Sequence, residues 1–166
     1  MISPELLRRY PFFGGLSHDQ LVELAKVGSE EAVDAGHYFF HERDELDHLY
    51  LILEGAVAVV IEIPAENTHQ SVADQYNRQL HTTDVVISAI GPGEVFGISA
   101  LIPPPVASAG AKATTPCRVV AFNSSELLQT FAQDCAFGYV MTQKIARVFR
   151  ERLHDMRIES LAQVAR

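Results

Sequence analysis

The chain has 166 residues, 48% of them hydrophobic and 20% charged, with 10 Gly and 8 Pro. That length fits one domain plus a terminal extension, and the composition excludes collagen-like, purely coiled-coil and wholly disordered chains. The net charge of -8 opposes unaided binding to nucleic acid or anionic lipid, yet it is uneven: residues 1–136 carry 18 acidic and 7 basic side chains, residues 137–166 carry 3 acidic and 6 basic.

Met1 to Glu5 lacks a basic region followed by an apolar run, and no stretch reaches the roughly 18 apolar residues needed to cross a bilayer. A cytoplasmic protein is expected. Cys117 and Cys135 match no metal spacing and no disulfide framework, so both read as inert core thiols in a reducing compartment.

In chain order, Pro4 to Arg9 predicts a short helix that stops before Pro11, with Gly14-Gly15 as the turn. Ser17 and Gln20 form a capping-box pattern ahead of Leu21, Leu24 and Ala25, with Leu16 placed as a staple, which predicts a helix over 18–27. Between residues 32 and 122, β-branched and aromatic runs alternate with Gly, Pro and Asp: Tyr38-Phe40, Leu49-Leu53, Ala56-Ile63, Val85-Ile90 and Arg118-Phe122. The fold class is therefore mainly β with α, a β-roll or jelly roll (double-stranded β-helix), because closure removes exposed strand edges. The polar stretch from Pro64 to Asp84 is long for a hairpin connection and reads as an insertion with room for a helical turn.

Ser124-Ser125-Glu126 predicts another helix start, with serine as N-cap. After Gly138 there is no Gly or Pro as far as Val164, which permits one long helix. Two parts are expected: 1–135, the roll with its helical cap, and 136–166, the long helix. Phe149, Leu153 and Met156 share a stripe, while Ser160 and Gln163 interrupt it and Ile158 and Leu161 begin a displaced one. Such a helix either packs along its own roll or pairs with the same helix of a second copy. The homodimer through Phe149, Leu153 and Met156 is the expectation, since an unpaired helix would expose its stripe.

The run Gly36-His-Tyr-Phe39-Phe40 through Asp44, Asp47, Leu49-Tyr50 and Gly55 resembles the cyclic-nucleotide-binding domain of the catabolite activator protein family, with Arg43 where that family has glycine. The opening Leu-Arg-Arg-Tyr-Pro-Phe-Phe-Gly-Gly-Leu-Ser is similar to its entry segment, and Gly91-Pro-Gly-Glu-Val-Phe96-Gly97-Ile98-Ser99-Ala100-Leu101 to the start of its phosphate-binding cassette. The resemblance implies a ligand site at Phe96, Gly97, Ile98, Ser99, Ala100, Ala107, Ser108 and Ala109, where backbone N–H groups cradle a cyclic phosphate. It also implies a Glu for the ribose and an Arg for the phosphate, but the matching positions are Ile98 and Ala107. Loss of a bidentate Arg is worth roughly 1.5–3 kcal/mol, and more where the pair is buried, about tenfold to several-hundredfold in affinity. Pro103-Pro104-Pro105 removes further donors. Arg43 or Lys112 is left as a replacement cation.

The expected function is a non-enzymatic regulatory or sensor module with altered or lost cyclic nucleotide binding and no cofactor. A genuine cyclic AMP or cyclic GMP receptor is the alternative. A third reading, a pocket filled by Ile98 and Val106 with a protein as partner, is also open. His37, His41, His48 and Glu42, with Glu54-Gly55, are reminiscent of metal-binding cupins, but no later His completes three or four convergent donors. The family's long helix leads to a helix-turn-helix; none is read in this sequence, so neither direct DNA binding nor membrane binding is expected.

Overall fold

A computed structural model describes residues 2–64 and 82–165. The expected insertion lies mostly outside these residues, although its ends do not: Pro64 closes one strand and Thr82 opens the next, paired with each other. The N-terminal cap forms as its sequence signals require. Helix α1 (Pro4–Arg8) starts with Pro4 in its first turn and the Ser3 hydroxyl accepting from the Glu5 N–H, and α2 (His18–Val27) carries the full capping box between Ser17 and Gln20.

Among the described residues eight strands follow: β1 (Gly28–Val33), β2 (Tyr38–Phe40), β3 (His48–Glu54), β4 (Val57–Pro64), β5 (Thr82–Ile90), β6 (Val95–Phe96), β7 (Gly110–Ala113) and β8 (Cys117–Asn123). They make two antiparallel sheets, ordered β1-β8-β3-β6 and β2-β7-β4-β5. The inner strands of the first sheet, β8 and β3, are buried on both faces, which explains the unbroken Leu-Tyr-Leu-Ile-Leu run of β3. Leu49, Leu51 and Leu53 join Val120 and Phe122 against the helices, while Tyr50 and Ile52 join Val119 and Ala121 between the sheets. The second sheet turns its outer face to solvent, and there Tyr38, Asp84 and Lys112 meet: the Tyr38 hydroxyl donates to Asp84 at 2.5 Å and Lys112 Nζ at 2.9 Å.

Three strands were not expected. β1 is edge-like and polar, β6 has two residues, and β7 reads Gly-Ala-Lys-Ala, whose small side chains signal no strand but let the backbone pair with both β2 and β4.

Helix α3 (Ser124–Gln133) also begins differently. Its N-cap is Asn123, which accepts from the Glu126 N–H at 3.0 Å, while the Ser124 hydroxyl donates to the Asp47 carbonyl at 2.9 Å. Helix α4 (Cys135–Val164) runs uninterrupted for 30 residues. A Cβ at Gly138 would come within 2.8 Å of Phe131 Cβ, so glycine is what lets α4 close on α3. Phe137, Met141 and Ile145 complete the helix-side core. Cys117 is buried, but Cys135, at the start of α4, is exposed, contrary to the expectation of two core thiols.

Candidate functional site

The approach to the site is set by a tight turn. Gly97 has φ 70°, and a Cβ there would lie 2.8 Å from the His48 carbonyl oxygen, so only glycine lets β6 turn this closely over β3. A single 3-10 turn, Ile98–Leu101, follows, closed by Ala100 N–H to the Gly97 carbonyl at 3.0 Å. The other side of the site is the segment around Ala107, laced to the loop before β3: Leu46 N–H bonds Pro105 O at 2.7 Å, Ala107 N–H bonds Asp44 O at 2.9 Å, and Arg43 N–H bonds Ala107 O at 2.9 Å. Both backbone groups of Ala107 are thereby committed within the protein.

Between these segments and α4 lies a cavity of about 510 Å³, the size of a small-molecule site. Its inner wall is Phe40, Val59, Phe96 and Ala111; Leu46, Ile98 and Ala107 are further apolar groups, and Ser88, Ser99 and Ser108 offer hydroxyls. Of the expected site residues, Phe96, Gly97, Ile98, Ser99, Ala107, Ser108 and Ala109 line the cavity. Ala100 does not. It is buried, packed against Leu46 and Ala107 of the wall.

Neither suggested replacement cation reaches this space. Arg43 is exposed, its backbone held at φ 72° in the slot where the family has glycine. Lys112 Nζ sits on the outer face, 2.9 Å from Asp84 and 4.9 Å from the centre of the Tyr38 ring. Hydrogen bonds from Lys112 and then Tyr38 hold the Asp84 carboxyl below its usual range, while burial and then the Asp84 hydrogen bond push the Tyr38 hydroxyl up. The filled-pocket reading also fails in part, because Val106 is exposed and is absent from the lining.

Helix α4 supplies the outer wall. Phe149, Leu153 and Met156, expected as a dimer seam, line the cavity together with Arg150, Arg152, Asp155 and Glu159. Arg152 was overlooked in the sequence, although its spacing from Phe149 and Met156 places it on their face. Its guanidinium is half-buried and donates to the Val95 carbonyl. Burial lowers its pKa, an effect that the charge of Glu94 partly offsets.

Two of the three histidines of the metal reading have carboxylate partners: His41 Nδ1 lies 3.0 Å from Glu62, and His48 Nδ1 lies 2.7 Å from Asp47. Among the described residues no group of three or more His, Cys, Asp or Glu is arranged to hold a metal ion, and no helix is long and apolar enough to cross a membrane.

The family model of the cyclic nucleotide-binding domain matches residues 30–134. The chain belongs to this family. Within the cyclic nucleotide-binding domain family, a solved structure described as a cyclic nucleotide-binding protein of Geobacter metallireducens GS-15 is 32% identical, with a TM-score of 0.74 over 93% of this chain and 100% of that one. A cyclic nucleotide-binding domain from Methylobacillus flagellatus KT is 21% identical, with a TM-score of 0.73 over 96% of this chain and 80% of that one. The catabolite activator protein of Thermus thermophilus is 22% identical, with a TM-score of 0.63 over 92% of this chain and 63% of that one. The last two likenesses concern the fold. No curated protein matches the sequence.

Proposed function

We propose that this protein is a non-enzymatic regulatory module whose roll holds a ligand other than a cyclic nucleotide, and whose long helix reports occupancy. The observation that carries this reading is the cavity itself. It is open, it is lined by the segments that resemble the family's cassette, and among the described residues no cation from the roll lines it; by that resemblance Ile98 and Ala107 occupy the positions of the ribose and phosphate contacts. A cyclic phosphate seated against the cassette would find no charge partner on the roll itself, which is costly. Calorimetric titration with cyclic AMP and cyclic GMP is expected to give no saturable heat at micromolar ligand. Tight binding of either would overturn the reading in favour of a conventional receptor, the activity named for the Geobacter relative.

The roll, 1–135, and the helix, 136–166, then act as sensor and reporter of a cytoplasmic regulator without a cofactor. Ligand moves α4 only through contacts that differ between two helix positions. The exposed apolar groups toward the end of α4, including Ile158, Leu161 and Val164, support pairing of this helix with a second copy. Leu161 lies outside the cavity. Light scattering should therefore report a dimer for the parent and a monomer for Leu161→Glu as well as Leu153→Glu. Unchanged mass in both variants would remove α4 from the interface.

A further inference from the structure

We infer that the ligand of this cavity is a mostly apolar molecule bearing one acidic group, a carboxylate or sulfonate, with Arg152 of α4 as its counterion. The inference rests on the reading of the cavity as a ligand site and adds the chemistry of the guest. Phe40, Leu46, Val59, Phe96 and Ala107 present hydrocarbon to the space, so most of the ligand is apolar. Arg152 lines this cavity as well as the neighbouring pocket that it shares with Glu94 and Val95, and its guanidinium is half-buried. Arg152 forms no ion pair among the described residues, and the hydrogen bond found for it there goes to the Val95 carbonyl, which carries no charge.

A guanidinium carries five N–H donors in a planar fork matched to a two-oxygen anion, and donors beyond the one used by Val95 remain to meet it. Burying a cation is costly; the charge of Glu94, which forms no ion pair with Arg152, offsets part of that cost, and an acidic ligand would offset the rest. Asp155 and Glu159 also line the cavity but are exposed, so water screens their repulsion of an acid. The phosphate-binding cation that the roll lacks is thus supplied in another form by the helix that must move. An acid bound between Arg152 and the roll would tie α4 down, making the charge of the ligand the element that fixes helix position.

Two dyes of nearly the same skeleton test this. 8-Anilino-1-naphthalenesulfonate carries the anion and N-phenyl-1-naphthylamine lacks it; both brighten in apolar surroundings. The native protein should bind the sulfonate saturably at one per chain and about tenfold or more tighter than the neutral dye. Arg152→Gln should erase that preference while leaving the neutral dye within about twofold, Arg157→Gln, exposed on α4 outside the cavity, should change neither, and Ala107→Phe should abolish both. Equal affinity of the native protein for the two dyes overturns the inference without any substitution having to fold. So does an unaltered preference in Arg152→Gln. Loss of both dyes in Ala107→Phe with no charge preference in the parent would sink the acid alone and leave the cavity as the site. Displacement of either dye by micromolar cyclic AMP would sink the underlying reading instead.

Discussion

The two halves of α4 continue one stripe of side chains yet live in different surroundings. Phe137, Met141 and Ile145 are 0–4% exposed, whereas Phe149, Leu153 and Met156, spaced the same way or nearly so, are 40–49% exposed. The first half is clamped between α3 and the helix side of the first sheet; the second passes over a cavity with nothing solid beneath it. Apolar periodicity alone does not separate a core helix from a lid. What separates them is whether the surface beneath is complete, and here it stops being complete at the mouth of the ligand site.

The sharpest test of that contrast is Phe137→Ala, which removes a ring wedged against Phe131 at a centroid distance of 5.1 Å and should cost about 3–5 kcal/mol in denaturant unfolding. A loss below about 1 kcal/mol would mean that the first half is no better anchored than the second. Next in size is Asp84→Asn, on the outer face away from α4, expected to cost about 1–2 kcal/mol at neutral pH by weakening the bonds from Lys112 and Tyr38. Because Asp84 ionises below its ordinary value of 3.8 when folded, its contribution is present above that value and is lost as pH falls through the native pKa. The gap between parent and variant should therefore begin to close below about pH 4 and vanish once the pH is below the native pKa; a gap that does not narrow on acidification would show that shape rather than charge matters at this position. The smallest effect belongs to Phe149→Ala, at about 1 kcal/mol or less, since its ring is already partly in water. A cost equal to that of Phe137→Ala would break the contrast outright.

Much of the roll is legible in the sequence because its elements are locally determined. The Ser17 and Gln20 box, the runs of β3 and β8 and the Gly97 turn each state their structure within a few residues. β7 does not, because Gly110 to Ala113 becomes a strand only through the neighbours on either side of it. Ser124 competes with Asn123 for the same role at the start of α3, and the choice depends on the Asp47 carbonyl, distant in sequence, which takes up the Ser124 hydroxyl. The candidate site divides in the same way. Its roll residues follow from motif positions, while Arg152 belongs to it only because α4 folds back over the cavity, a tertiary fact.

The pairing of Pro64 with Thr82 at the far end of the β4–β5 ladder has a practical side. The two anchors are neighbours, so the closure cost of whatever joins them depends only weakly on the length of the joining chain. Residues 66–80 could be exchanged for a two-residue Asn-Gly turn, or for a fluorescent reporter, with the roll retaining its melting temperature to within a few degrees. Evolution and the engineer would find there the same convenient port, at the opposite end of the β4–β5 hairpin from the turn at Gly55, through which new attachments can be fitted without retuning the receptor.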